Sequence, residues 1–267
     1  MTDTIAGPVI GIITDVEDPL GQGRVQIKLP WLSDIPHGWA PIALPMAGEK
    51  RGYWYMPEVG DEALVTFLQG DADHPFIIGF LHNGVDTPPF DSIDKHVRRV
   101  RSVTGHVIDL DDRSGQEKVH VHTNGGNVVE LRDPDATIQL TTNGGQQVTM
   151  QDQPAQIKLT TATGTTVTMT DTPSEVRIST AGGVSLSISD TGVVLTAGTA
   201  PVTVTAPSAT VTTTGQLTCK ATTLTLSGAS VSVNSAMTTF SGVVACQALM
   251  ATSVVSSSYS PGAGNVL

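Results

Sequence analysis

Apolar and polar residues alternate along most of this chain, and the rhythm of that alternation changes twice. In residues 1–90 it comes in short bursts: VIGIIT (9–14), RVQIKL (24–29), EALVTF (62–67) and PFIIGF (75–80). Turn-forming clusters separate them: DPLGQG at 18–23, the loop around Pro36 and Gly38, PEVGD at 57–61 and GDADHP at 70–75. A period of two bounded by Gly, Pro and Asp reads as half-buried strands joined by tight turns. About five such strands predict a small barrel or sandwich over residues 1–90.

From Gly105 onward the alternation becomes a repeat. Glycines fall at 105, 125/126, 144/145, 164 and 182/183, a spacing near 19. Each unit reads strand, acidic or polar turn, strand, Gly turn, as in VVELRDPDATIQLTTNGG followed by VTMQDQPAQIKLTTATG. Ile108/Leu110, Val129/Leu131, Val148/Met150 and Val167/Met169 form one set of apolar pairs; Val119/Val121, Ile138/Leu140, Ile157/Leu159 and Val176/Ile178 form another. Past residue 200 the step contracts to seven or eight residues, through Val202/Val204, Ala209/Val211, Leu217/Cys219, Leu224/Leu226 and Val231/Val233. A coiled coil is excluded, because the apolar spacing inside each step is two and Thr, Ser, Val and Gly dominate.

One repeat cannot bury its apolar side alone, so the repeats must stack into a closed structure. Residues 191–267 carry a single charged side chain, Lys220, and open strand edges of that composition would aggregate. A step of seven or eight residues supplies about one strand and one turn, a third of a three-faced coil. Small inward residues suit a narrow axis where three chains meet. The expectation is an all-β chain: an N-terminal small barrel or sandwich at 1–90, a linker or collar at 91–104, and an intertwined homotrimeric β-helix (a β-prism needle). The needle divides into 19-residue repeats at 105–200 and a narrower part with a blunt tip at 201–267. Its mechanical property would be stiffness.

Composition narrows the function. The chain has 267 residues and a net charge of −11, with 4% aromatic and 15% charged residues. Residues 1–90 hold four Lys plus Arg against twelve Asp plus Glu, a net of −8. Nucleic acid, which recruits cations, is not an expected partner. Cys219 and Cys246 make no disulfide framework, and the first expected to be a small core residue, the second similar. No basic leader precedes the apolar residues of MTDTIAGPVIGIIT, so no signal peptide is expected and assembly would be cytoplasmic.

The segments GIITDVEDPLGQGRVQIKLPWLSD (11–34) and GYWYMPEVGDEALVTFLQGDADHPFIIGFLHNG (52–84), continued by TGHVIDLDD (104–112), resemble the VgrG and phage baseplate assembly protein V family of central spikes in contractile injection systems. The resemblance covers most of residues 8–90. It implies an OB-fold followed by a trimeric β-helix, and a structural, non-enzymatic role joining a tail-tube hub to a tip and piercing an envelope on sheath contraction. Expected partners are two further copies of the chain, a separate hub protein on the OB side and a PAAR-type tip protein at the C-terminal end. An effector cargo and transient contact with a target membrane complete the set. No hub domain precedes the OB motif, which points to a phage-tail or extracellular injection particle. The alternative is a trimeric β-helical tail fibre that binds a receptor.

Candidate chemistry is sparse. His120 and His122 share one face of a strand, but Val119 and Val121 take the inward positions and leave both imidazoles outward, so no metal is expected there. DLDDRSG (109–115) has Ser114 where a calcium loop needs Gly, and its three carboxylates read as solvated. Asp71, Asp73 and His74 read as a hairpin loop closed by Pro75. The family's His-x-His iron tip has no counterpart after His122. No catalytic, cofactor or metal residue is assigned.

Overall fold

The computed structural model describes residues 5–32, 38–90 and 94–257. The Pro36 loop, the first three residues of the connector and the tip from residue 258 lie outside them.

The first zone is a five-stranded antiparallel sheet in the order β3-β2-β1-β6-β7. Its strands are β1 (Val9–Asp15), β2 (Val25–Lys28), β3 (Trp39–Ala40), β6 (Glu62–Phe67) and β7 (Pro75–Phe80). Between β3 and β6 a small hairpin forms from β4 (Ala47–Gly48) and β5 (Arg51–Gly52). Alternation works as expected: Ala63, Val65 and Phe67 point inward from β6 while Glu62, Leu64 and Thr66 do not. Ile13, Val25, Ile27, Leu29, Ala40 and Ile77 complete the core. The larger of these contribute roughly 1.5–3 kcal/mol each by leaving water. The barrel closes where Ile42 bridges Ile77; the Ala43 amide donates to the Ile77 carbonyl at 2.7 Å and the Ile77 amide to the Pro41 carbonyl at 3.0 Å.

The DPLGQG turn is built around Asp18. Its carboxylate accepts from the amides of Leu20 (3.0 Å), Gln22 (2.9 Å) and Arg24 (3.2 Å) and from the Arg24 guanidinium at 2.7 and 3.0 Å. The Arg24 guanidinium, and after it the three amides, hold the Asp18 carboxyl well below the usual carboxylate range.

A second sheet of eleven strands follows: β8 (Val97–Arg101), β9 (Val107–Asp111), β10 (Lys118–His122), β11 (Val128–Arg132), β12 (Thr137–Thr141), β13 (Gln147–Asp152), β14 (Ala155–Thr160), β15 (Thr166–Asp171), β16 (Ser174–Ser179), β17 (Ser185–Ser189) and β18 (Gly192–Thr196). Each strand pairs antiparallel with the one before it, so the order in the sheet is the order in the chain. The stretch read as a connector contains β8, which pairs with β9 from Val97↔Asp111 to Arg101↔Val107. Within one chain the 19-residue units pair as a meander of hairpins.

The reason is the turn. Gly105, Gly126, Gly145, Gly164 and Gly183 all take φ between +83° and +90° and send the chain back on itself. At each corner the Gly amide donates to the carbonyl three residues earlier, as Gly145 does to Thr142 at 2.9 Å. The hydroxyl of that same Ser or Thr accepts the following amide: His106 on Ser102 (3.0 Å), Asn127 on Thr123 (3.1 Å), Gln146 on Thr142 (3.1 Å) and Thr165 on Thr161 (3.0 Å). Two strands of five or six residues plus two short turns fill each unit, which leaves no residues for a third face.

The residues from 204 onward form a second unit. Among the described residues 197–257 no strand is formed, and every one from 198 to 257 is exposed.

Candidate functional site

The register of the meander puts both sets of apolar pairs on one face. Leu110, Val119, Leu131, Ile138, Met150, Ile157, Met169, Val176, Ile188 and Val193 sit directly opposite one another in succession. A second column runs beside it from Ile108 and Val121 through Val148 and Leu159 to Leu195. Cross-strand β-branched and aliphatic pairs of this kind are what stabilises a sheet face. Here, however, many of them stay partly exposed among the described residues.

Burial in this sheet is inverted. Along β9 the polar Asp109 and Asp111 are 7% and 4% exposed, while Ile108 and Leu110, which alternate with them, are each 46% exposed. In β12 Thr137 is buried and Ile138 and Leu140 are exposed. The second column and the Thr-rich corners line a groove of about 630 Å³, with Val129, Leu140, Val148, Leu159 and Val167 along its floor. A continuous apolar strip of this length is far beyond the isolated exposed hydrophobics normal on a monomer.

The opposite face holds the charge. Pairing β8 with β9 brings Arg99 beside Asp109, with guanidinium–carboxylate bonds of 2.7 Å from both Nε and Nη2. Arg99 also donates to the Pro89 carbonyl at 3.1 Å and lies 4.8 Å from the centre of the Phe90 ring. On the same face Arg113 is bonded to Asp111 at 2.5 and 2.9 Å, while Arg98, opposite Leu110 at the end of the apolar face, is bonded to Asp112. The three carboxylates expected to be simply solvated therefore each hold an arginine. Arg98 and Arg99, within the stretch read as a linker or collar, are engaged with the chain's own acids.

Electrostatics follow that geometry. The Arg99 guanidinium holds Asp109 below the usual carboxylate range, and Arg113 takes Asp111 down to about 2. Lys118, donating to Glu130 at 2.8 Å, lowers that carboxyl too. His120 stands between Asp109 and Glu130 in the ladder, and its ring stacks on His122 at 5.1 Å. Burial lowers the His120 pKa, and the pair reads as stacked rings inside a polar face.

The remaining candidates fall apart in space. His74 and Asp71 are joined at 3.1 Å across the β6–β7 turn, and the Asp73 amide donates to the same Asp71 carboxylate. Cys219 and Cys246 are exposed in the segment that forms no strand. Among the described residues no group of three metal-ligating side chains converges, and no helix is long and apolar enough to cross a membrane.

Comparison with known proteins agrees with the barrel. Residues 9–82 match the model of the type VI secretion system/phage-baseplate injector OB domain. The chain is 27% identical over 153 residues to the type VI secretion system spike protein VgrG3 of Vibrio cholerae, covering 51% of this chain and 14% of that one. It is 30% identical over 112 residues to the spike protein VgrG5 of Pseudomonas aeruginosa, covering 38% of this chain and 14% of the relative. A third relative is the actin cross-linking toxin VgrG1 of Vibrio cholerae, 26% identical over 133 residues, covering 44% of this chain and 12% of the toxin. The chain thus spans about an eighth to a seventh of the length of these three relatives. The resemblance read from the opening strands holds: this all-β chain matches the injector OB domain over residues 9–82 and is similar, over part of its length, to VgrG spike proteins.

Proposed function

We propose that the chain is the central spike of a contractile injection machine, acting as a homotrimer. The observation that carries this reading is the inverted burial of the meander beneath an injector OB domain. Three copies packed apolar face to apolar face around a common axis would cover Leu140, Val148 and their columns and leave the ion-paired face in water. The segment from 197 to 257 then forms its ladders between chains, since it makes none within one. Small Val, Thr and Ala side chains suit that narrow axis.

In this role the OB domain joins a separate hub protein at the tail-tube end, and a PAAR-type protein caps the far end. Sheath contraction drives the assembly through a target envelope, with an effector as its cargo. The particle is assembled in the producing cell's cytoplasm. No step needs a catalytic group, metal or cofactor, because the product is stiffness: separating the copies breaks many modest bonds, each worth ~0.5–1.5 kcal/mol, at once.

Mass photometry of the purified chain, with SDS gels run on unheated samples, tests the reading. Three chain masses and a slow, heat-sensitive gel band are expected. A monomer that denatures readily in SDS would refute the spike.

A further inference from the structure

The OB domain carries two exposed apolar patches that its own core does not explain. One is an aromatic strap, Tyr53–Trp54–Tyr55, which follows the β4–β5 hairpin and is held to it by the Tyr53 amide donating to the Met46 carbonyl at 3.0 Å. The three side chains are 51%, 63% and 58% exposed. They are nevertheless ordered. The Tyr53 and Tyr55 rings stack at 6.5 Å, and Trp54 lies across Gly23, where an added Cβ would fall 2.0 Å from its ring. Gly23 in turn belongs to the turn that Asp18 braces. A rigid, exposed aromatic anchor on a braced loop is the kind of residue that dominates protein interfaces.

The other patch is the outward side of β1, β6 and β7. Ile10 pairs with Leu64, which pairs with Gly79, so Ile10, Leu64 and Ile78 form an apolar surface across three strands, with Ile10 and Ile78 48% and 46% exposed.

The charges around the two patches are opposite. Lys50 and Arg51, two of the four cations in residues 1–90, sit on the hairpin beside the strap. Glu62 lies at one end of the outward surface, and Asp71 and Asp73 lie at the turn beyond its other end; Lys28 stands one strand away on β2. A closed ring of three identical copies requires two different, complementary patches on each copy. This domain shows one of each, on a chain whose apolar meander already calls for two further copies.

We propose that the OB domains close a head-to-tail ring, in which the Tyr53–Trp54–Tyr55 strap of one copy seats on the Ile10–Leu64–Ile78 surface of the next. Lys50 and Arg51 then meet the neighbour's Glu62, Asp71 and Asp73. The inference rests on the trimeric reading above. Needles that hold three domains together raise their effective concentration, so even a modest contact closes the ring.

The test uses the full-length chain and the Ile78→Asp variant, each first weighed. Ile78 points outward, so the variant keeps its barrel and its needle. Hydroxyl-radical oxidation of Trp54, read by mass spectrometry, is expected to be several-fold slower in wild-type trimers than in Ile78→Asp trimers. Trimers refolded from heavy-isotope-labelled and unlabelled chains are expected to give carbodiimide cross-links from Lys50 to Glu62, Asp71 or Asp73 that join one label to the other. Equal Trp54 oxidation in the two trimers, or Lys50 links confined to one label, overturns the ring and leaves the strap to a different macromolecule. A chain that weighs as a monomer refutes the trimeric reading as well, which separates the two failures.

Discussion

The meander at 97–196 and the segment at 197–257 are both Thr- and Val-rich and both alternate, yet they satisfy their backbones in opposite ways. In the meander every strand finds its hydrogen-bond partner one turn away in the same chain. In the later segment the described residues form no strand at all, and the side chains at the apolar positions stay as exposed as the polar ones. What differs is the step. A unit of 19 residues holds two strands and a reversing glycine at φ near +85°; a step of seven or eight holds one strand and nothing to pair it with. The first can fold alone and then dock by a face. In the proposed trimer the second acquires its ladder from the other chains, so its folding and its assembly are one event. The proposed trimer therefore has two kinds of interface, one of side chains and one of backbone.

That contrast can be broken most severely at the backbone-dependent end. Val231→Asp, at an apolar position, is expected to abolish the SDS-resistant band, whereas Ser232→Asp, one residue on and in the opposite phase, leaves it intact. Equal behaviour of the two on unheated gels refutes the assigned phase. The meander should respond by degrees. Leu140→Ala removes a side chain from the proposed face and is expected to cost about 2–3 kcal/mol per chain in thermal unfolding. Thr149→Ala, on the other face, should change stability by less than about 0.5 kcal/mol. Far-ultraviolet circular dichroism of the dissociated Leu140→Ala chain should keep the meander's strand signal; its loss would show that these ladders, too, depend on assembly.

Smaller still is Gly145→Ala, which forces a Cβ into a corner at φ +83° beside the Ala162 Cβ, 3.4 Å away. A loss of about 1–2 kcal/mol is expected from the left-handed conformation alone. Acid comes next. Asp111, held down to about 2 by Arg113, contributes stability that is complete above the ordinary value of 3.8 and is lost as pH falls through 2. Melting temperature should therefore be level from neutral pH to about 4 and decline below it, and the Arg113→Ala variant should melt lower at neutral pH and lose less on acidification below 4. At the bottom of the scale, EDTA is expected to leave the melting temperature unchanged; a marked drop would restore a metal to His120 and His122.

Much of this architecture was legible because two-residue alternation is a local signal. EALVTF and PFIIGF are β6 and β7 to the residue, and VIGIIT falls one residue short of β1. β8 was hidden because VRRVR spaces its valines three apart and reads as charge. Its strand character comes from the register with β9, which sets Arg98 and Arg99 against acids 14 and 10 residues away. The paired state of Asp109 and Asp112 was invisible for the same reason, whereas Asp111 meets Arg113 only two residues on. Period alone did not show that the chain reverses at each corner; the positive φ at Gly126 and Gly145 does. The Tyr53–Trp54–Tyr55 strap shows no alternation, so only its seat on Gly23 marks it as built.

The hydroxyl-and-glycine corner gives the meander a modular length. Gly126, Gly145, Gly164 and Gly183 recur at the same spacing and conformation, so each unit ends in the phase in which it began. Excising residues 146–164 would remove two strands, rejoin Gly145 to Thr165 and leave both apolar columns unbroken. The stack would shorten by about 9.5 Å, two strand spacings. Duplication of a unit would lengthen it by the same increment. Reach is therefore a quantity that such a gene can change in whole-number steps without redesigning a single contact.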